Sequence, residues 1–339
     1  MGEYSTEELT KEFGARNAGY INLCQELEFS LKNRMNEAGI KWHSIAARPK
    51  TLESFLEKVE RKGYREPFKE TEDLAGARVV CLFMSDLGRA EQVISSIFNV
   101  LNKEDKINGG DVSAFGYMSH HYICTLSERH AGERYDKIKG LKFEIQVRTI
   151  LMDAWANMSH YLSYKSEESI PRDLVKDFHA LSALLYVGDR QFEGFYRSSS
   201  RSAAAAEEAV LRSPEIRATE VNADTLQALL ERSFPERRPA TSETISELIS
   251  ELHEFGYDDL TEIDRIVQSK KQAVIRKEKT TSIHDSEGKV IKGSLKYNRA
   301  GIIRAALDLH DPRLSEYRRE KSRRRLEEKG RGNEAIDEA

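Results

Sequence analysis

Residues 143–149 read FEIQVRT. In an extended strand successive side chains point to opposite faces, so Phe143, Ile145 and Val147 share one face. Glu144, Gln146 and Arg148 share the other, each about 6.6 Å from the next. A chain with this segment must build a sheet whose one face packs on a core while the other carries a carboxylate, an amide and a guanidinium. For this strand alone the polar face reads as ordinary solvated surface, and only the other segments can make it the wall of a cleft.

The surrounding sequence supplies the rest of such a sheet. Ala77–Phe83 (ARVVCLF) has the β-branched and aromatic content of a buried central strand, and HHYICTL at 120–126 and IKWHSIAA at 40–47 read as further strands. Helical spacing runs from Thr6 to about Ala38 through Tyr20, Leu23, Leu27 and Leu31, and again over 51–62 through Leu52, Phe55, Leu56 and Val59. A further helix, capped by Asp86, is expected to carry Val93, Ile94, Ile97 and Val100, and another to run from Ile150 to about Tyr164. The polar, Gly-Gly-containing stretch 102–115 reads as a long loop. Strands alternating with helices predict a mixed sheet flanked by helices, an α/β (α+β) unit over residues 1–200.

With 339 residues the chain is too long for one small domain. The simple segment RSSSRSAAAAEEAV marks a helical or flexible connector, placed at 201–220. Beyond it, Leu226, Leu229 and Leu230, then Ile245, Leu248, Ile249, Leu252 and Phe255, then Leu260, Ile263, Ile266 and Val267 keep helical spacing. They predict a helical accessory domain at 221–312, with a turn at Asp285–Gly288 and a charged tail at 313–339. A net charge of -4 excludes a global bias toward nucleic acid or membrane. Cys24, Cys81 and Cys124 sit singly in apolar runs, which argues against a disulfide framework or a zinc site. No signal-peptide core and no run of roughly 20 apolar residues is seen. A soluble protein of the reducing cytoplasm is the expectation.

Three other segments bear on the polar strand. In RPKTLESFLEK (48–58), Arg48 and Lys50 leave a strand, and Ser54 and Lys58 are four apart on one face of the next helix. This places four phosphate-compatible groups at a helix N-terminus, where free N–H groups favour anions; a basic helix with a solvated face explains the segment equally. In EDLAGARVV (72–80), Asp73 precedes a buried strand, Gly76 allows close backbone approach, and Arg78 interrupts an apolar run. A carboxylate there can hold Mg2+, and an arginine can stack on a base; a capping Asp and an edge Arg is the plainer reading. In FGYMSHHY (115–122), Tyr117 after a glycine is a stacking platform, and only one of His120 and His121 can face a cleft. On the following helix Trp155 reads as core, and His160 taken alone as surface.

The ordered set RxKxxxSxxxK, DxxGxR, GYxSxH, ExQxRT and WAxxxH resembles the RelA/SpoT family of alarmone (ppGpp) synthetases over roughly residues 20–190. The expectation is a small, single-activity synthetase without the hydrolase domain of the long family members and with an unusual C-terminal extension. The resemblance implies a nucleotidyltransferase-like fold and transfer of the β,γ-diphosphate of ATP to the 3′-hydroxyl of GDP or GTP, with AMP leaving. It further implies that Arg48 and Arg78 sandwich the adenine, and that Lys50, Ser54 and Lys58 hold the ATP phosphates. Asp73 would hold Mg2+, and Glu144 would bind the metal or take the hydroxyl proton. On the acceptor side it implies Tyr117 stacked on guanine, with His121, Gln146, Arg148 and His160 around the acceptor nucleotide, and a homo-oligomer. Met118, Asp153 and Ser159 depart from residues often found in the family, all on the acceptor side. The alternatives are a toxin-type transfer to the 3′ end of tRNA and a nucleotide-sensing module with a degenerate site.

Overall fold

Strict alternation in 143–149 is realised in the middle of a five-stranded sheet. The computed structural model describes residues 4–105, 119–162, 170–218, 220–280, 283–284, 290–291, 296–321 and 323–324. Its strands β1 (Trp42–Pro49), β2 (Ala75–Cys81), β3 (Phe98–Asp105), β4 (His120–Leu126) and β5 (Phe143–Thr149) lie in the order β1-β2-β5-β4-β3. β2 and β5 run parallel, and every other pair is antiparallel. This is the mixed sheet flanked by helices that the sequence predicts.

The chain divides into two compact units, Met1–Arg197 and Ser198–Ala339. In the first, α1 (Thr6–Glu37) starts at a capping box: the Glu8 N–H donates to Ser5 Oγ at 3.2 Å and the Ser5 N–H to the Glu8 carboxylate at 2.7 Å. Its Leu23, Leu27 and Leu31, four residues apart, are fully buried and belong to one core with Ile45, Val79, Cys124, Phe143, Ile145 and Val147. Helices α2 (Leu52–Lys62), α3 (Pro67–Glu70), α4 (Ser85–Ile97), α5 (Glu133–Asp136), α6 (Ile150–Tyr161) and α7 (Val175–Ala206) complete the connections. Trp155 of α6 is buried against Phe178 of α7, their ring centres 4.4 Å apart.

Two local expectations are corrected. The apolar spacing from Val93 to Val100 is not one helix: α4 stops at Ile97, Val100 lies in β3, and the residues read as loop, Asn102 to Asp105, continue that strand. Among the described residues β3 is an edge strand bonded only to β4, so exposed Lys103 and Glu104 keep contact with water and deter pairing with another chain. Asp86 does not cap α4. Met84 holds the cap position, and Asp86 sits buried in the first turn, 2.7 Å from the Arg89 guanidinium, where its charge still complements the helix dipole.

In the second unit α8 (Ala223–Ser233), α9 (Ser242–Glu254), α10 (Leu260–Thr280) and α11 (Arg299–Asp308) enclose Leu226, Leu229, Leu248, Leu252, Leu260 and Ile263. Asn222, Thr241 and Asn298 cap α8, α9 and α11 through side-chain oxygens. The unit also holds a two-residue strand pair, β6 (Ile283–His284) and β7 (Val290–Ile291); the expected turn at 285–288 lies outside the described residues. Ala206 and Val210, from the segment read as a connector, and Leu314, from the segment read as a tail, all enter this core. Buried Glu251 receives Arg304 at 2.9 Å and Arg318 at 2.8 Å, which brings the chain beyond residue 312 back onto α9. Among the described residues no helix is long and apolar enough to cross a membrane.

Phe143 is fully buried at the centre of the first core. Phe143→Ala should cost about 3–5 kcal/mol, read as a lower urea midpoint at unchanged slope for the transition of the sheet unit. A loss under about 1 kcal/mol would show that β5 does not anchor this core.

Candidate functional site

Strand register brings the polar residues together. β1 pairs Arg48 with Gly76, β2 pairs Gly76 with Glu144 and Arg78 with Gln146, and β4 pairs His121 with Gln146. Residues paired in this way point to the same side of the sheet, opposite Ile145 and Val147, with neighbouring strands about 4.8 Å apart. The clustering of Arg48, Arg78, Glu144, Gln146, Arg148 and His121 therefore follows from register. Gly76 separates Arg48 from Glu144. A Cβ there would meet only the Glu144 carbonyl oxygen, at 3.9 Å, an ordinary contact. The close approach expected of this glycine is thus not needed, and what it contributes is a floor free of side chain between a cation and a carboxylate.

One hydrogen-bonded chain crosses this face. Ser119 Oγ lies 2.7 Å from His121 Nε2, and His121 Nδ1 lies 2.7 Å from Glu144 Oε1. Gln146 donates its amide to Glu144 Oε2 at 2.7 Å and accepts on Oε1 from Arg148 Nη2, also at 2.7 Å. Arg148 Nη1 reaches Asp153 Oδ1 at 3.2 Å, and the same oxygen pairs with Arg78 Nη1 at 3.1 Å. Asn157, one turn along α6, donates to Asp153 Oδ2 at 3.0 Å and accepts from Arg78 at 3.4 Å. Both oxygens of Glu144 are thereby fixed by side chains of the sheet.

The second carboxylate, Asp73, lies just before β2. Lys50, which follows β1, approaches its Oδ2 at 2.9 Å, and Lys58 of α2 approaches its Oδ1 at 2.9 Å. The Lys50 N–H donates to the Leu74 carbonyl at 2.9 Å, which fixes the exit of β1 beside the entry to β2. Ser54 lies exposed in the first turn of α2, its N–H donating to the capping Thr51 hydroxyl at 3.3 Å.

Charge is held tightly. Burial pushes the Asp73 carboxyl up, but the two ammonium groups outweigh it and leave it below the usual aspartate range. Burial likewise pushes Glu144 up, as does the charge of Asp73. The hydrogen bonds from His121 and Gln146, with the charge of His121, more than offset them, so Glu144 also lies below its ordinary value. Arg148, 3% exposed, is drawn down to about 10 by burial and by the positive charge of Arg78, against the opposing pull of Asp153.

His160 lies exposed at the end of α6, outside this chain of contacts, and Ser159 back-bonds to the Trp155 carbonyl at 2.8 Å. Tyr117 and Met118 fall outside the described residues. Sequence reasoning misses three members: it gives Ser119 and Asn157 no role, and Asp153 enters it only as a departure from the family pattern. The four-residue spacing of Asp153 and Asn157 on α6 is the available signal, but their partner Arg78 is 75 residues upstream of Asp153. Among the described residues no three His, Cys, Asp or Glu side chains gather as a metal cluster. The candidate is a pair: Asp73 and Glu144, 22% and 18% exposed, both held ionised, and close enough for one charge to act on the other. Two such oxygens suit a hard divalent cation that takes its remaining ligands from water and phosphate.

Residues 47–169 match the family model described as the region found in RelA / SpoT proteins. Two curated relatives from Bacillus subtilis are GTP pyrophosphokinases. YwaC is 29% identical over 44% of this chain and 70% of its own length, and YjbM is 32% identical over 38% of this chain and 59% of its own length, so the chain spans less than two thirds of the latter. A solved GTP pyrophosphokinase family protein from Streptococcus pneumoniae superposes with a TM-score of 0.49 at 24% identity, over 57% of this chain and 96% of that one.

Because the native Asp73 pKa lies below that of the unfolded chain, its pairing with the lysines adds stability at neutral pH that is lost as acid protonates the carboxylate. Replacing Lys50 and Lys58 together by Met should let burial dominate and move the Asp73 titration above the ordinary aspartate range. Carboxyl 13C NMR against pH reads this directly. An unshifted titration would show that the lysines do not control Asp73.

Proposed function

We propose that this chain, which carries a RelA/SpoT region, is a GTP pyrophosphokinase that moves the β,γ-diphosphate of ATP onto the 3′-hydroxyl of GDP or GTP and releases AMP. One observation carries the reading: two ionised carboxylates, Asp73 and Glu144, stand beside the Lys50–Lys58 pair at one end of the sheet face and His121, Gln146 and Arg148 at the other. Such transfers need positioned reactants and neutralised charge more than covalent help from the protein.

In this reading Arg48 and Arg78 flank the adenine, while Lys50, Ser54 and Lys58 receive the phosphates beside the α2 N-terminus, where free N–H groups favour anions. Tyr117 stacks on the guanine, and His121, Gln146 and Arg148 line the acceptor side. The acceptor 3′-oxygen forms a bond to the β-phosphorus of ATP as the bond from that phosphorus to the α,β-bridging oxygen breaks, and the hydroxyl proton passes to the Glu144 carboxylate. Glu144 is suited to this by staying charged, and His121 and Gln146 hold both its oxygens in place. Mg2+, when bound with ATP, would be held by Asp73 and Glu144 and would neutralise charge on the transferring diphosphoryl group. Lys50 and Lys58 would then turn from Asp73 to the phosphates. Transfer to the 3′ end of tRNA is the less favoured acceptor, since both curated relatives are named for GTP.

Purified protein with Mg2+, γ-labelled ATP and GDP or GTP should place label on the guanine nucleotide with one AMP formed per transfer. Unlabelled guanine nucleotide defeats the proposal, and label on added tRNA would redirect it. Glu144→Gln should lower kcat at least about 100-fold while nucleotide affinity stays within a few-fold. Parallel loss of affinity would assign Glu144 a structural role.

A further inference from the structure

We infer that Asp153 is a positioning residue that fixes the guanidinium of Arg78 over the ATP half of the site and joins it to the acceptor half through Arg148. The inference rests on the pyrophosphokinase reading and adds to it a residue to which that reading gives no role.

Asp153 is the point where the two halves meet. Its Oδ1 takes Arg78 Nη1 at 3.1 Å and Arg148 Nη1 at 3.2 Å, so two like-charged guanidiniums, on neighbouring parallel strands, converge on one carboxylate oxygen. Its Oδ2 is held by the Asn157 amide at 3.0 Å, and the Asn157 oxygen returns to Arg78 at 3.4 Å. A single nitrogen of Arg78 is thus held by two side chains one helical turn apart. Arg78 is 36% exposed at its side chain, so the guanidinium is anchored at one edge with part of its surface left open. An unanchored arginine in that place would sample many rotamers. Anchored, its plane is set before a base arrives.

The mount is rigid for a local reason. Thr149 ends β5 and caps α6, accepting the Met152 N–H at 3.1 Å, while its hydroxyl donates to buried Asp189 of α7 at 2.5 Å. Asp153 lies one residue beyond Met152 in the turn so fixed. Its position is therefore tied to β5, and through the β2–β5 pairing to Arg78 itself. Removing the carboxylate leaves two adjacent guanidiniums, one of them buried, without their shared counter-charge. The exposed one, Arg78, is free to swing into solvent and abandon the base.

The test is a double-mutant cycle on the full chain: wild type, Asp153→Ala, Arg78→Ala and the double variant, with the near-isosteric Asp153→Asn as a fifth protein. Binding of α,β-methylene ATP is measured by calorimetry, and KM for ATP and kcat by label transfer. Asp153→Ala should weaken analogue binding and raise KM for ATP about tenfold, the scale of coupling within one hydrogen-bonded network, with kcat changed much less. In the Arg78→Ala background the same change should add less than twofold, and Asp153→Asn should lose less than Asp153→Ala. Additive losses in the cycle, or a fall in kcat with KM for ATP unmoved, overturn the role of Asp153 while leaving the pyrophosphokinase reading intact. If Asp153→Ala does not fold, the cycle is closed instead with Asp153→Asn, alone and combined with Arg78→Ala, and the same outcomes decide. Wild type that binds the analogue but labels no guanine nucleotide defeats the underlying reading and spares the positioning role, whereas wild type that binds no analogue overturns both.

Discussion

Keeping two carboxylates charged on a half-buried sheet face is the constraint on which the rest of this structure depends. Burial alone raises the pKa of Asp73 and of Glu144, and the charge of Asp73 raises that of Glu144 further. Each acid has its own remedy. Asp73 is held by two ammonium groups on long side chains, and Glu144 by an imidazole and an amide carried on the strands. Lysine stems are long enough to release one partner and reach another, whereas strand-borne His121 and Gln146 are not. The first arrangement suits a site that exchanges ligands, the second a group that must stay in place during a reaction.

The sheet serves stability and chemistry with the same residues' backbones. Along β5, Phe143, Ile145 and Val147 enter the core, and the intervening Glu144, Gln146 and Arg148 form the polar chain. A shift of one residue in register would exchange the two sets, burying charge and exposing the core. Register is thus fixed by hydrophobic burial, and the geometry of the polar face follows from it. Gly76 completes the arrangement by leaving the space between Arg48 and Glu144 unfilled.

What can be read in the sequence is what depends on period and order. The shared face of Glu144, Gln146 and Arg148 follows from alternation alone, and the choice of His121 over His120 as the inward histidine follows from the same rule once β4 is aligned. The resemblance brings Lys50, Lys58 and Asp73 into one site, but their pairing is not legible, because nothing local connects residues 15 to 23 positions apart. The Asp153–Arg78–Arg148 junction is not legible: it requires a parallel strand pair and a helix start to meet. β3 escapes because an edge strand can carry charge without penalty, which removes the apolar signature. α11 escapes because its apolar stretch follows a polar one with no expected helix, although Asn298 is an ordinary cap.

The central claim is that Asp73 and Glu144 act together on one nucleotide-bound divalent cation. Mn2+ substituted for Mg2+ broadens the 13C carboxyl signals of groups near it, and it tests this most directly. With α,β-methylene ATP and Mn2+ the signals of Asp73 and Glu144 should broaden together, and neither should do so with Mn2+ at the same concentration without nucleotide. Broadening of Asp73 alone, with Glu144 sharp at saturating nucleotide, would contradict a shared cation and confine Glu144 to the acceptor side.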